Sequence, residues 1–72
     1  MNKKVKEIID FLVDCRIRKN ITQRQLGNAI RMSQQGVSQI ETYGNSCLAT
    51  LELYAQALNM NLTIVVEENS IE

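Results

Sequence analysis

An all-α bundle of four to five helices, closed by one C-terminal β-strand, is the fold class this sequence predicts, and three observations predict it. Apolar residues recur at intervals of three and four through residues 3–58, the spacing of one buried helix face. Two cap signals, Thr22 and Ser33, stand so close together that the helices they open are joined by a tight turn. Beyond Asn61 the period changes from helical to two, with Leu62, Ile64 and Val66 alternating with Thr63, Val65 and Glu67.

The first helix is expected from Lys3 to Lys19. Val5, Ile8, Ile9, Leu12 and either Cys15 or Arg16 form its inward stripe. Asn20 ends it, because Asn is among the few non-glycine residues that tolerate the left-handed conformation past a helix end. Thr22 and Gln25 have the spacing of a capping box, in which the hydroxyl accepts from an orphan N–H and the amide reaches back to the cap. Ile21 and Leu26 are placed for a hydrophobic staple. Leu26 and Ile30 then share the inward face of helix two. Gly27 costs about 0.5 to 1 kcal/mol relative to Ala in a helix interior, so its presence predicts a close backbone approach, expected from helix three. Ser33 opens that third helix, which turns Val37 and Ile40 inward and leaves Gln34, Gln35, Ser38 and Gln39 on a polar, uncharged outer face. Tyr43 to Ser46 reads as a turn-rich link. Leu48, Leu51, Tyr54, Ala55 and Leu58 make the stripe of a fourth helix ending near Asn59. Residues 69–72 read as a frayed tail.

A lone strand leaves its backbone donors and acceptors without partners, and no other segment here has strand character. Residues 62–67 are therefore expected to pair with the same segment of a second chain as an antiparallel ribbon on a dimer axis, with Leu62, Ile64 and Val66 as dimerisation residues. A chain of 72 residues makes one domain, taken here as residues 1–72. Domains of this size bury only about 60% of their unfolded surface, so a partner subunit would add stability.

Composition excludes several function classes. There is no His, and Cys15 and Cys47 lie far apart without metal-ligand spacing, so no metal, cofactor or Cys/His nucleophile is expected and an enzyme is not. Both thiols read as buried and reduced. No run approaches ~18 apolar residues and no signal-peptide core opens the chain, so no membrane partner is expected and the cytoplasm is the default location. The net charge is zero, yet all eight Lys and Arg fall within residues 1–31 against three acids there, leaving five acids and no base beyond. A basic half of this kind attracts phosphate.

The stretch TQRQLGNAIRMSQQGVSQIE, Thr22 to Glu41, resembles the helix-turn-helix of the phage repressor and Cro (XRE) family. The resemblance is carried jointly by Gln23, inward Leu26, small Gly27, inward Ile30, turn residue Met32, cap Ser33, the Gln34 and Gln35 pair, inward Val37 and Ile40, and closing Glu41. One departure is Arg31, where the family most often has Gly; a non-glycine residue is then asked to adopt positive φ. The resemblance implies a lambda-repressor-like bundle and a sequence-specific regulator of transcription that binds double-stranded DNA as a homodimer, most simply a repressor reading a palindromic operator. It places Gln34 and Gln35 at base edges, with Ser38 and Gln39 one turn on; a Gln amide can bond bidentately to adenine N6 and N7. Gln23 matches a phosphate-contacting position, and Arg24 and Arg31 are further phosphate candidates, with Lys3, Lys4, Lys6, Arg18 and Lys19 behind them. Arg16 and Glu41 match a structural ion pair. The terminal segment also looks like that of a subgroup that includes antitoxins, which implies an alternative: a protein that binds a small toxin and represses their shared operon.

Overall fold

A computed structural model describes residues 3–44 and 46–68. Four helices follow one another, α1 (Lys3–Arg18), α2 (Gln23–Ile30), α3 (Gln34–Tyr43) and α4 (Leu48–Ala57). α2 packs on α3 and α4, and α1 lies across α3 and α4. The core is where the inward stripes meet: Ile9 and Leu12 from α1, Leu26 from α2, Val37 and Ile40 from α3, and Leu51, Tyr54, Ala55 and Leu58 from the last helix and its end.

Local chemistry sets the boundaries. Arg18 is the last residue of α1, and Asn20 takes the left-handed conformation beyond it, φ 58°. The Thr22 hydroxyl accepts from the Gln25 N–H at 3.0 Å while the Gln25 amide oxygen accepts from the Thr22 N–H at 2.9 Å, a complete capping box. α2 ends at Arg31 in the left-handed region, φ 60°, and the Met32 N–H returns to the Gly27 carbonyl at 2.7 Å. Ser33 then caps α3 by accepting from the Gly36 N–H at 3.0 Å. The turn between the two helices is thus closed by caps on both sides.

Gly27 is small for a different reason than close approach of helix three. A Cβ there would collide with the carbonyl oxygen of Met32, so the residue is demanded by the turn's own backbone folding back on α2. Gly36, in the first turn of α3, gives room instead to the Met32 side chain, whose Cγ would lie 2.8 Å from an added Cβ.

Other expectations need correction. Tyr43 belongs to α3 rather than to the link, and Gly44 takes the left-handed cap position, φ 68°; Asn45 lies outside the described residues. Leu48 is the first residue of α4 and stands 47% exposed, one turn before Leu51, the first buried residue of the helix, so it is not part of the core. Ile30 is half-buried. The thiols are not both buried: Cys15 packs half-buried against the core, whereas Cys47 is the exposed N-cap residue of α4. Thr50, with its Oγ1 3.3 Å from the Cys47 sulfur, holds that thiol below its ordinary range.

Among the described residues no strand is formed. Leu62 is half-buried against the core, while Ile64, Val65 and Val66 are exposed and make no backbone hydrogen bond within the described chain. The tail expected to fray, residues 69–72, lies outside the described residues.

Candidate nucleic-acid interface

The exposed face of α3 is built by the turn that precedes it. Val37 and Ile40 are anchored in the core, 0% and 4% exposed, and this fixes the rotation of the helix about its axis. Gln34, Gln35 and Gln39 are left on the outer surface with Ser38 partly covered. Gln34 and Gln35 occupy the first two helical positions after the Ser33 cap, where the backbone N–H groups have no intrahelical partner and the positive end of the helix dipole emerges. A shallow concave surface joins this end of α3 to the start of α2, lined by Gln23, Ser33, Gln34, Gln35 and Ser38. Four of the expected DNA-facing residues are therefore brought together. Gln39, Arg24 and Arg31 are exposed outside that concavity.

The interface carries amides and hydroxyls but no charge at its centre. Such groups both donate and accept, so they can match base edges, while a phosphate calls for cations at the periphery. Arg24 in the first turn of α2 and Arg31 in the turn itself are the nearest in sequence. Two of the other candidates are drawn into pairs along α1: Lys6 Nζ lies 2.8 Å from Asp10 and Arg18 Nε 3.0 Å from Asp14.

Beneath the surface sits a polar node that ties all four helices and the α1–α2 link together. Glu41 of α3 accepts from Arg16 Nε at 2.8 Å and from Arg16 Nη2 at 3.0 Å, a bidentate pair. It also accepts from Gln23 Nε2 at 3.0 Å and from the Tyr54 hydroxyl at 2.7 Å. Arg16 Nη1 donates in turn to the Ile21 carbonyl at 2.8 Å, so one guanidinium grips both α3 and the link into α2. The Arg16 and Glu41 side chains are only 11% and 8% exposed. No buried side-chain N or O among the described residues lacks a partner.

Titration follows this geometry. Burial opposes ionisation of Glu41, but hydrogen bonds from Arg16, Gln23 and Tyr54 outweigh it and hold the carboxyl below its ordinary value. Burial likewise works against the Arg16 charge, and the Glu41 carboxylate more than offsets it, raising the guanidinium further. Tyr54 is pushed upward by burial and by the neighbouring carboxylate, so its hydroxyl stays protonated and donating.

Two functional contacts have no sequence signal. Tyr54 stands at apolar spacing on α4 and reads as core, which its ring is; its hydroxyl reaches Glu41 because α3 and α4 both pack against α1 and α2. Gln23 reads as a residue free to meet phosphate, whereas its amide nitrogen is bonded to Glu41 while it lines the concavity with Gln34.

Among the described residues no grouping of acids and thiols could hold a metal ion, and no helix is long and apolar enough to cross a membrane. No curated protein and no solved structure matches the chain. A family model does: the helix-turn-helix model matches residues 12–65, from the middle of α1 into the terminal segment. With the capped turn, the exposed polar face of α3 and this match over most of its length, the chain belongs to the helix-turn-helix family of DNA-binding transcription regulators.

Proposed function

We propose that the chain, as one DNA-binding unit over residues 1–72, is a homodimeric repressor that acts in the cytoplasm and reads a palindromic operator through α3. The observation that carries this reading is the uncharged polar face at the start of α3, rotated outward by Val37 and Ile40 and joined to Gln23 in one concavity. Gln34 and Gln35 are the base readers, with Ser38 and Gln39 one turn on and Gln23, Arg24 and Arg31 on the phosphates; Gln23 keeps one amide N–H for that use while its other bonds to Glu41. A homodimer with two such helices would meet half-sites about 34 to 36 Å apart, one turn of duplex.

Dimerisation belongs to Leu62, Ile64 and Val66. Three adjacent β-branched residues left 51%, 74% and 91% exposed at positions 64, 65 and 66 favour a partner for this segment. The same exposure favours a second reading, in which the segment binds a small toxin and the chain is an antitoxin that autoregulates its operon. Selection of bound duplexes from a random pool, with sedimentation of the same sample, tests the first reading: a palindrome bound by dimers is expected, and recovery of no sequence would overturn it. Copurification of a small protein with the chain from its native cells, lost on Val66→Glu, is the result expected of the second.

A further inference from the structure

One side chain belongs both to the buried polar node and to the exposed concavity. Gln23, the first residue of α2, is half-buried; its Nε2 donates to Glu41 Oε1 at 3.0 Å, and it lines the surface shared by Ser33, Gln34, Gln35 and Ser38. The two ends of a Gln amide have nearly the same shape and opposite hydrogen-bonding character, the nitrogen donating twice and the oxygen only accepting. Shape alone therefore does not choose which end faces inward. In the fold, Glu41 takes the nitrogen. An ionised carboxylate is acceptor-only, and each oxygen of this one receives two donors: Oε1 from Arg16 Nη2 and Gln23 Nε2, Oε2 from Arg16 Nε and the Tyr54 hydroxyl. The Arg16 fork grips both oxygens of a side chain that is only 8% exposed, so Oε1 is itself held in place. An amide turned the other way would set oxygen against oxygen at that distance with no proton between them.

We propose that Glu41 is a positioning residue for DNA binding, acting through Gln23: it holds the amide nitrogen so that its second N–H is ready for a backbone phosphate before DNA arrives. The inference rests on the reading of Gln23 as a phosphate contact and adds what aims it. A phosphate oxygen accepts and does not donate. An amide free to turn offers it the wrong end part of the time and has to be ordered on binding, whereas an amide held by Glu41 is already ordered by the fold. The concavity is lined by amides and hydroxyls without a cation, so a correctly turned N–H matters more there than it would beside Lys or Arg. Arg16 and Tyr54 act one step further back, by holding the carboxylate.

A double-mutant cycle tests this, with binding to a random-sequence duplex measured at one salt concentration and at a temperature where circular dichroism shows every protein folded. Gln23→Ala is expected to weaken binding about ten-fold, the factor that accompanies loss of a hydrogen bond to a charged group. Glu41→Gln, which no longer forces the nitrogen inward, should weaken binding too, but by no more than Gln23→Ala does. Added to Gln23→Ala, Glu41→Gln should then change nothing further, whereas general damage to the fold would weaken binding in both backgrounds. The parent alone supplies a second readout that holds even where Glu41→Gln does not fold. Side-chain ¹⁵N relaxation of the free protein should find the Gln23 amide more ordered than those of exposed Gln34 and Gln35. A folded Glu41→Gln that binds like the parent, an undiminished effect of Glu41→Gln in the Gln23→Ala background, or a Gln23 amide as mobile as that of Gln34 overturns the positioning role and leaves the phosphate contact standing. Gln23→Ala that binds like the parent overturns the phosphate contact itself, and the inference with it.

Discussion

Glu41 collects four hydrogen bonds from three side chains, and each of those side chains comes from a different helix. Removing one member leaves charge or polarity buried without a partner, which costs more than the intact pair contributes. Arg16→Ala is expected to destabilise the fold by about 3 kcal/mol or more, and Tyr54→Phe, which removes one bond to a charged acceptor, by about 1.5 to 3 kcal/mol; urea unfolding measures both. The carboxyl titrates in the folded chain below its ordinary value of 4.5. Its contribution is therefore complete at neutral pH, begins to fall as the pH drops through that ordinary value, and is gone once the folded carboxyl is protonated. Stability measured from pH 7 to pH 3 should show this loss in the parent and a shallower acid slope in Glu41→Gln. Of this node the sequence discloses Arg16 and Glu41, through resemblance. Tyr54 and Gln23 are not legible, because their bonds to Glu41 form only once the helices that carry them are packed together.

At the scale of elements, the turn between α2 and α3 is almost wholly readable in the sequence because its determinants are local. Thr22, Gln25 and Ser33 name their own hydrogen bonds by spacing. The reason for Gly27 is less local: the conflict is with the Met32 carbonyl, and only the path of the turn reveals it. Gly27→Ala should cost about 1 to 3 kcal/mol, since backbone has to move. Gly36→Ala should stay within about 1 kcal/mol of the parent, because the flexible Met32 side chain can yield and a helix interior prefers Ala. Arg31 holds a left-handed conformation that costs a non-glycine residue about 1 to 2 kcal/mol. Arg31→Gly is expected to raise stability by about 1 kcal/mol while weakening DNA binding, and that opposition of signs, read from unfolding and binding on one sample, separates the cap from the phosphate contact. Leu48 escapes a periodicity argument: it satisfies the stripe, but it is the first residue of α4, a turn before the helix's buried residues begin at Leu51.

Over the whole molecule, all eight Lys and Arg fall within residues 1–31, and Arg24 and Arg31 stand exposed outside the uncharged concavity at the start of α3. Affinity for DNA should then rest on few phosphates per subunit and on having two subunits. Each phosphate that is no longer neutralised lowers the slope of log binding constant against log salt by about 0.9, so Arg24→Ala should reduce it by about 2 in a dimer, equally on specific and random duplexes. The segment 62–67 marks where sequence reading stops within one chain. Its period is plain, but the partner that would complete it is another molecule, and a single chain shows only exposed Ile64, Val65 and Val66.

Discrimination among bases is proposed to lie at the start of α3. Its most direct measurement is the ratio of binding constants for the selected operator and for random duplex, taken for the parent and for a Gln34→Ala, Gln35→Ala double variant at one salt concentration. The expected result is a folded variant whose random-duplex binding matches the parent's and whose preference for the operator falls by about ten-fold or more, as removal of one or two base-reading amides at about 1 to 3 kcal/mol each requires. A variant that keeps the parent's preference would contradict the assignment of Gln34 and Gln35 as the residues that read DNA.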